Sequence, residues 1–224
     1  MIVVHHLNNS RSQRVLWLLE ELGMEYTIKR YQRDPKTMLA PPELLDVHPL
    51  GKSPVIVDGG LTVAESGAIV EYLLDQYEAD SNLRPAQGSA ERLRFTYWLH
   101  YAEGSAMPPL LLKLVFDRIE STPMPFFVKP IARAISQKAK SSFIMPQVDR
   151  HLDFMESRLA DSPWFAGTAF TAADIQLSFP LEAAAARGGL TKATRPKLTD
   201  FLRRIHERPA YQRALEKGGA YSMA

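Results

Sequence analysis

Cysteine is absent from all 224 residues. That excludes disulfides, zinc fingers and a cysteine nucleophile, so any thiol chemistry must use a sulfur brought in by a ligand. A charge excess is missing too. Lys and Arg number 27 and Asp and Glu 25, a formal net charge of +2. This gives no electrostatic reason to expect nucleic acid or an anionic membrane as partner. The basic residues are dispersed, apart from a mild excess between Lys129 and Lys140. No apolar run approaches the length needed to span a bilayer. Met1 leads straight into Ile2-Val3-Val4 and the polar His5-His6, which is not the pattern of a signal peptide, and the expected location is cytoplasmic. Internal repeats and low-complexity tracts are also lacking.

What is present can build cores. Hydrophobic residues make up 46% and charged residues 23%, values ordinary for globular proteins, over a length that suits one large or two small domains. Ile2 to Leu7 reads as a buried strand, and Asn8-Asn9-Ser10 as a turn. From Ser12, Val15, Leu18, Leu19 and Leu22 recur on one helical face, with Glu20 and Glu21 toward the other side, until Gly23 supplies a C-cap. Tyr26 to Tyr31 is a second strand, completing a β-α-β unit whose crossover implies parallel pairing. A proline-rich loop with a short helix near Glu43-Leu44-Leu45 follows. Pro54 to Val57 and Leu61 to Val63 then read as strands joined at Asp58-Gly59-Gly60, a hairpin turn whose glycines tolerate positive φ. Glu65-Ser66 opens a helix carrying Ile69, Val70, Leu73, Leu74 and Tyr77.

Asp80 to Ser89, with Pro85 and Gly88, reads as a linker, and every later signal is helical. One helix runs from Arg92 to Met107 and is expected to stop before Pro108-Pro109. Val148, Leu152, Met155 and Leu159 recur at helical spacing, as do Ile175, Phe179 and Ala183, and Phe201, Leu202 and Ile205. Thr171-Ala172-Ala173-Asp174 has the form of a capping box, with aspartate in place of Glu or Gln. The expected fold is α/β plus all-α: a βαβ-α-ββα domain over residues 1–80, then an all-helical domain over 90–224.

This order, with four local features, resembles the cytosolic glutathione transferases. The features are the polar strand-to-helix turn Asn8-Asn9-Ser10-Arg11-Ser12-Gln13-Arg14-Val15, the segment Gly51-Lys52-Ser53-Pro54-Val55-Ile56, the pair Glu65-Ser66, and Phe170-Thr171-Ala172-Ala173-Asp174. Leu7 to Gly23 and Tyr97 to Pro109 look closest to a microbial, serine-type-like subgroup of fungi and bacteria. The resemblance spans the whole chain. It implies a thioredoxin-like N-terminal domain that binds glutathione as co-substrate, a helical domain that supplies a second pocket, and a homodimer. The implied reaction is attack of the glutathione thiolate on a small hydrophobic electrophile, with no part for nucleic acid or membrane.

A free thiol with a pKa of roughly 8.5 is only a few per cent ionised near neutrality, so the protein must favour the anion. Unpaired N–H groups and the positive dipole end at a helix start do so, and the Asn8–Ser12 turn sits at one. In serine-type relatives the key serine falls six positions before a valine equivalent to Val15; that position is Asn9 here, with Ser10 adjacent. Ser10 and Asn9 are the catalytic candidates, ahead of Arg11 or Ser12. The same turn would also serve simply to cap the helix. The resemblance further implies a cis bond before Pro54, turning the backbone of Ser53 toward the cysteinyl part of glutathione. Glu65 and Ser66 would take the γ-glutamyl ammonium and carboxylate, and Lys52 the glycine carboxylate, with His48 a weaker candidate for the same wall. Asp174 would be structural. Tyr97, His100, Tyr101, Glu103, Gly104 and Met107 are candidates for the second pocket, and Phe116, Phe126 and Phe127 are equally arguable. Two other readings stand beside this one: a glutathione-dependent peroxidase or disulfide reductase on the same scaffold, and a non-catalytic glutathione-binding protein, which the asparagine at the serine position keeps open.

Overall fold

The computed structural model describes residues 1–78 and 81–222, so Asp80, where the linker was expected to begin, lies outside the described residues. β1 (Ile2–Leu7), α1 (Ser12–Glu21) and β2 (Tyr26–Tyr31) form the β-α-β unit, with β1 and β2 parallel. β3 (Val55–Asp58) pairs antiparallel with β1, and β4 (Leu61–Ala64) antiparallel with β3, so the sheet order is β2-β1-β3-β4. The hairpin turn is as the sequence requires: Gly59 and Gly60 both take positive φ, at 54° and 91°. α2 (Ser66–Tyr77) then packs Ile69, Val70, Leu73 and Leu74 into the same core as Val15, Leu18 and Leu19 of α1. Gly23, at φ 65°, closes α1, and the Met24 N–H reaches back to the Leu19 carbonyl.

The remainder is helical: α3 (Ala90–Tyr101), α4 (Met107–Ser121), α5 (Lys129–Ala139), α6 (Met145–Asp161), α7 (Ala172–Arg187), α8 (Pro196–His206) and α9 (Pro209–Gly218). Among the described residues no helix is long and apolar enough to cross a membrane. α7 is the axis of this half, buried continuously from Ala172 to Ala184. Its start is the expected capping box. Asp174 accepts from the Thr171 N–H (2.8 Å) and hydroxyl (3.0 Å), and its other oxygen accepts from the Phe165 N–H (3.0 Å).

One expectation fails for a local reason. The helix does not stop at Pro108-Pro109. A π-helical turn at Ala102–Ala106 follows α3, and α4 starts afresh at Met107 with the prolines in its first turn, where a missing N–H costs nothing. Glu20 and Glu21, toward the other side of α1, are covered as well. α9 packs across α1, and the Glu20 carboxylate is met by Arg213 (2.8 Å), Lys217 (2.5 Å) and the Tyr26 hydroxyl (2.7 Å), while Glu21 pairs with Arg208 (2.6 Å).

Candidate active site

The segment before β3 and the starts of α1 and α2 meet at one cavity of about 290 Å³, at the lower end of small-molecule sites. Arg11, His48, Leu50, Lys52, Ser53, Pro54, Glu65, Ser66, Glu103 and Leu111 contribute to its wall. Lys52, Ser53, Pro54, Glu65 and Ser66, expected to act together, are therefore neighbours. Two helix N-termini, each with a positive dipole end, open here, so the cavity favours anionic groups. The first N–H groups of α1 are already taken, Ser12 by Ser10 Oγ (3.2 Å) and Gln13 and Arg14 by the Ser10 and Arg11 carbonyls (3.3 and 3.2 Å).

Each wall residue is positioned by something identifiable. The Ser53–Pro54 bond is cis, and the Ser53 hydroxyl donates to the His5 carbonyl (2.7 Å) and accepts from the Leu7 N–H (3.3 Å). The loop is thus pinned to the end of β1. Glu65 sits at φ 70°, ψ 122°, a backbone region that non-glycine residues rarely take. Buried Ser66 accepts from Arg14 Nη2 (3.2 Å) and Gln176 Nε2 (3.1 Å). With its acceptor sites filled, the hydroxyl has its proton left to donate toward the cavity.

Arg14 is the hub behind this wall, its side chain 1% exposed. Pro180 lies within α7 and has no N–H, so the Gln176 carbonyl one turn earlier loses its helical partner. Arg14 Nη1 fills that place at 2.5 Å. Nη2 also reaches Glu103 Oε1 at 2.5 Å. Burial pulls the Arg14 guanidinium below its ordinary pKa, against the opposing pull of Glu103. Burial alone would raise the Glu103 carboxyl, but Arg14 and Arg11 outweigh it and hold it below the usual carboxylate range. Glu103 lies in the π-helical turn after α3; such wide turns recur at functional sites.

The two sequence candidates for the sulfur are not part of the cavity wall. Asn9, at φ 49°, turns its side-chain oxygen to the Ser222 N–H (2.8 Å). Ser10 is 3% exposed, its hydroxyl 2.7 Å from that of Ser12. Arg11 does line the wall. Of the residues considered for the second pocket, Glu103 reaches this cavity, Gly104 lines a separate one with Phe143 and His151, and Tyr97 and Tyr101 stack on each other and meet Trp98 edge-on. Leu111, on α4, is an apolar wall residue that periodicity alone did not single out.

A small mixed sheet with a cis-proline loop beside an anion-favouring cavity, joined to a helical half, defines the class: a thioredoxin-like domain coupled to an all-α domain. Family models agree, the glutathione S-transferase N-terminal domain matching residues 1–75 and the C-terminal domain residues 117–209. The chain is 38% identical to glutathione S-transferase 3 of Schizosaccharomyces pombe over 97% of this chain and 88% of that one. Among solved structures, a glutathione S-transferase from Actinobacillus pleuropneumoniae superposes with a TM-score of 0.82 at 35% identity, covering 100% and 95% of the two chains. A sphingomonad glutathione S-transferase complexed with glutathione gives 0.73 at 27% identity, covering 97% and 98%. The chain belongs to the glutathione S-transferase family. It is an enzyme of the glutathione transferase type, and glutathione is its co-substrate.

Proposed function

We propose that this enzyme conjugates glutathione to a small hydrophobic electrophile, with the tripeptide held along the cavity described above. The observation that carries this reading is the convergence of Lys52, Ser53, Glu65 and Ser66 on one anion-favouring cavity. Lys52 takes the glycine carboxylate, and the Ser53 backbone beside Pro54 pairs with the cysteinyl unit. Ser66 and the N-terminus of α2 take the γ-glutamyl carboxylate, and Glu65 its ammonium. The sulfur lies toward the start of α1, where the positive end of the helix dipole favours its anion. Leu50 and Leu111 supply an apolar edge for the electrophile.

On this reading residues 1–80 are the glutathione domain and 90–224 the helical domain, and the chain belongs to the microbial subgroup its sequence resembles. A homodimer is supported by Leu93 and Tyr97, 74% and 48% exposed one turn apart on α3, with Phe154 packed beside Tyr97; such a face is suited to burial against a second copy. The cytoplasmic location and a role in detoxification are carried over from the family resemblance.

Calorimetry with glutathione, followed by turnover of an aryl halide and of an organic hydroperoxide, tests the proposal. Binding with aryl halide conjugation is the expected result. Preferred hydroperoxide turnover would instead support the peroxidase or reductase reading, and binding with no turnover a binding protein. A second expectation concerns Glu65. Glycine at this position relieves a backbone strain of about 1 kcal/mol while removing the partner of the ligand ammonium. Glu65→Gly should therefore melt higher than wild type yet bind glutathione at least roughly tenfold more weakly. An unchanged dissociation constant would remove Glu65 from the site.

A further inference from the structure

At the start of α1 one side chain is both anchored and open to the cavity. Arg11 Nε lies 2.9 Å from both carboxylate oxygens of Glu103, and its guanidinium stands 4.8 Å from the ring centre of Phe179. Its two terminal amino groups have no hydrogen-bond partner among the described residues, and the side chain, about one-third exposed, forms part of the cavity wall. Arg14 stacks on the same ring (5.2 Å) and shares the same carboxylate. Two fixed cations therefore face one anion, and the cluster carries a net positive charge beside the helix start.

The serine next to it is spent elsewhere. One ring nitrogen of His6 donates to the Gly218 carbonyl, and burial first, then Arg30, pushes the ring down to about 4, so it is neutral. Its other nitrogen, Nδ1, then accepts from the Ser12 hydroxyl at 2.8 Å. With the Ser12 proton so used, the 2.7 Å contact makes Ser10 the donor to Ser12. The Ser12 N–H in turn approaches Ser10 Oγ at 3.2 Å. The Ser10 proton points into this buried chain.

We propose that the terminal amino groups of Arg11, aimed by Glu103 and Phe179, are the side-chain donors that hold the glutathione sulfur as its anion, the thiol proton passing to solvent. This deepens the glutathione-transferase reading and rests on it. A guanidinium suits the task because it stays charged at every working pH and offers two donors in a fixed fork. A cation beside a thiol lowers its pKa by favouring the charged form.

The test is a pH titration of thiolate absorbance for glutathione bound to wild type, Arg11→Gln, Arg11→Lys and Ser10→Ala, with S-methylglutathione affinity measured in parallel. Arg11→Gln is expected to raise the bound thiol pKa by about one unit, a roughly tenfold smaller thiolate fraction below that pKa. The kcat/KM for an aryl halide should fall by a similar factor near neutrality and recover at alkaline pH. S-methylglutathione, which has no thiol to ionise, should keep its affinity within about twofold. Arg11→Lys, which keeps the charge, should restore most of the shift, and Ser10→Ala should move the pKa less than Arg11→Gln does. The proposal is overturned if Arg11→Gln leaves the thiol pKa in place, if Ser10→Ala produces the larger shift, or if S-methylglutathione affinity falls in step with that of glutathione, since Arg11 would then hold a carboxylate. Failure of the wild-type protein to bind glutathione at all would instead sink the parent reading, and this inference with it.

Discussion

Glu103→Ala should lower the unfolding free energy by about 2–3 kcal/mol, because it leaves the Arg14 charge buried without its counterion. Arg14 is 1% exposed, and Glu103 is the carboxylate within reach of it. Its remaining acceptors, the Gln176 carbonyl and the Ser66 hydroxyl, are neutral. The loss sits somewhat below the usual range for a broken buried pair because Glu103 itself is 31% exposed and its end of the pair is partly solvated. Denaturant unfolding at a fixed protein concentration measures it. The double variant Arg14→Met/Glu103→Leu should regain most of the stability, since apolar replacements of a buried pair are often neutral. It should not regain glutathione affinity, because Ser66 loses the donor that fixes its hydroxyl. A single variant as stable as wild type would show that water reaches Arg14 and that the cluster does not bind the two halves together.

Asp174→Ala should cost about 3 kcal/mol or more, the loss of an N-cap interaction together with two other bonds to a fully buried carboxyl. The Phe165 and Thr171 N–H groups and the Thr171 hydroxyl all lose their acceptor. Because α7 is the axis of the helical half, the damage should spread as lowered cooperativity rather than as a frayed end. Burial pushes the Asp174 carboxyl up to about 6, although those bonds and Arg204 pull the other way. A carboxyl raised in the folded state contributes stability that is complete below its unfolded value and is lost as pH rises through its folded one. The window here runs from about 4 to 6. The difference between wild type and Asp174→Ala should therefore be larger near pH 4 than near pH 7. A difference that grows toward neutral pH would mean that the three bonds favour the ionised form more than burial opposes it.

The features legible in the sequence are those fixed within a few residues. Gly59-Gly60 demanded a hairpin because few other residues tolerate two successive positive φ angles there, and the hairpin is present. The capping box at Thr171–Asp174 needs only four residues to close on itself. The crossover of β1 and β2 followed from strand, helix and strand in thirty residues, and the pairing is parallel. The grouping of Lys52, Ser53, Pro54, Glu65 and Ser66 was also open to reading, because β3 and β4 form one hairpin and carry the first three and the last two to the same sheet end. The helix stop at Pro108 failed because proline forbids a helix interior but suits a first turn, and a preceding π turn converts one into the other.

By itself, then, the chain determined its elements, its two-part architecture and the family chemistry, since periodicity, turn residues and caps act over a few bonds. Only the tertiary structure decided which groups face the cavity. Arg14 meets Gln176 across 162 residues and Glu103 across 89. Glu20 is buried because a helix almost two hundred residues later brings cations to it. Whether a serine proton is free or an arginine fork is open depends on such distant partners, and no local pattern encodes them, because a buried charge or hydroxyl takes its state from whatever folding brings within hydrogen-bond reach.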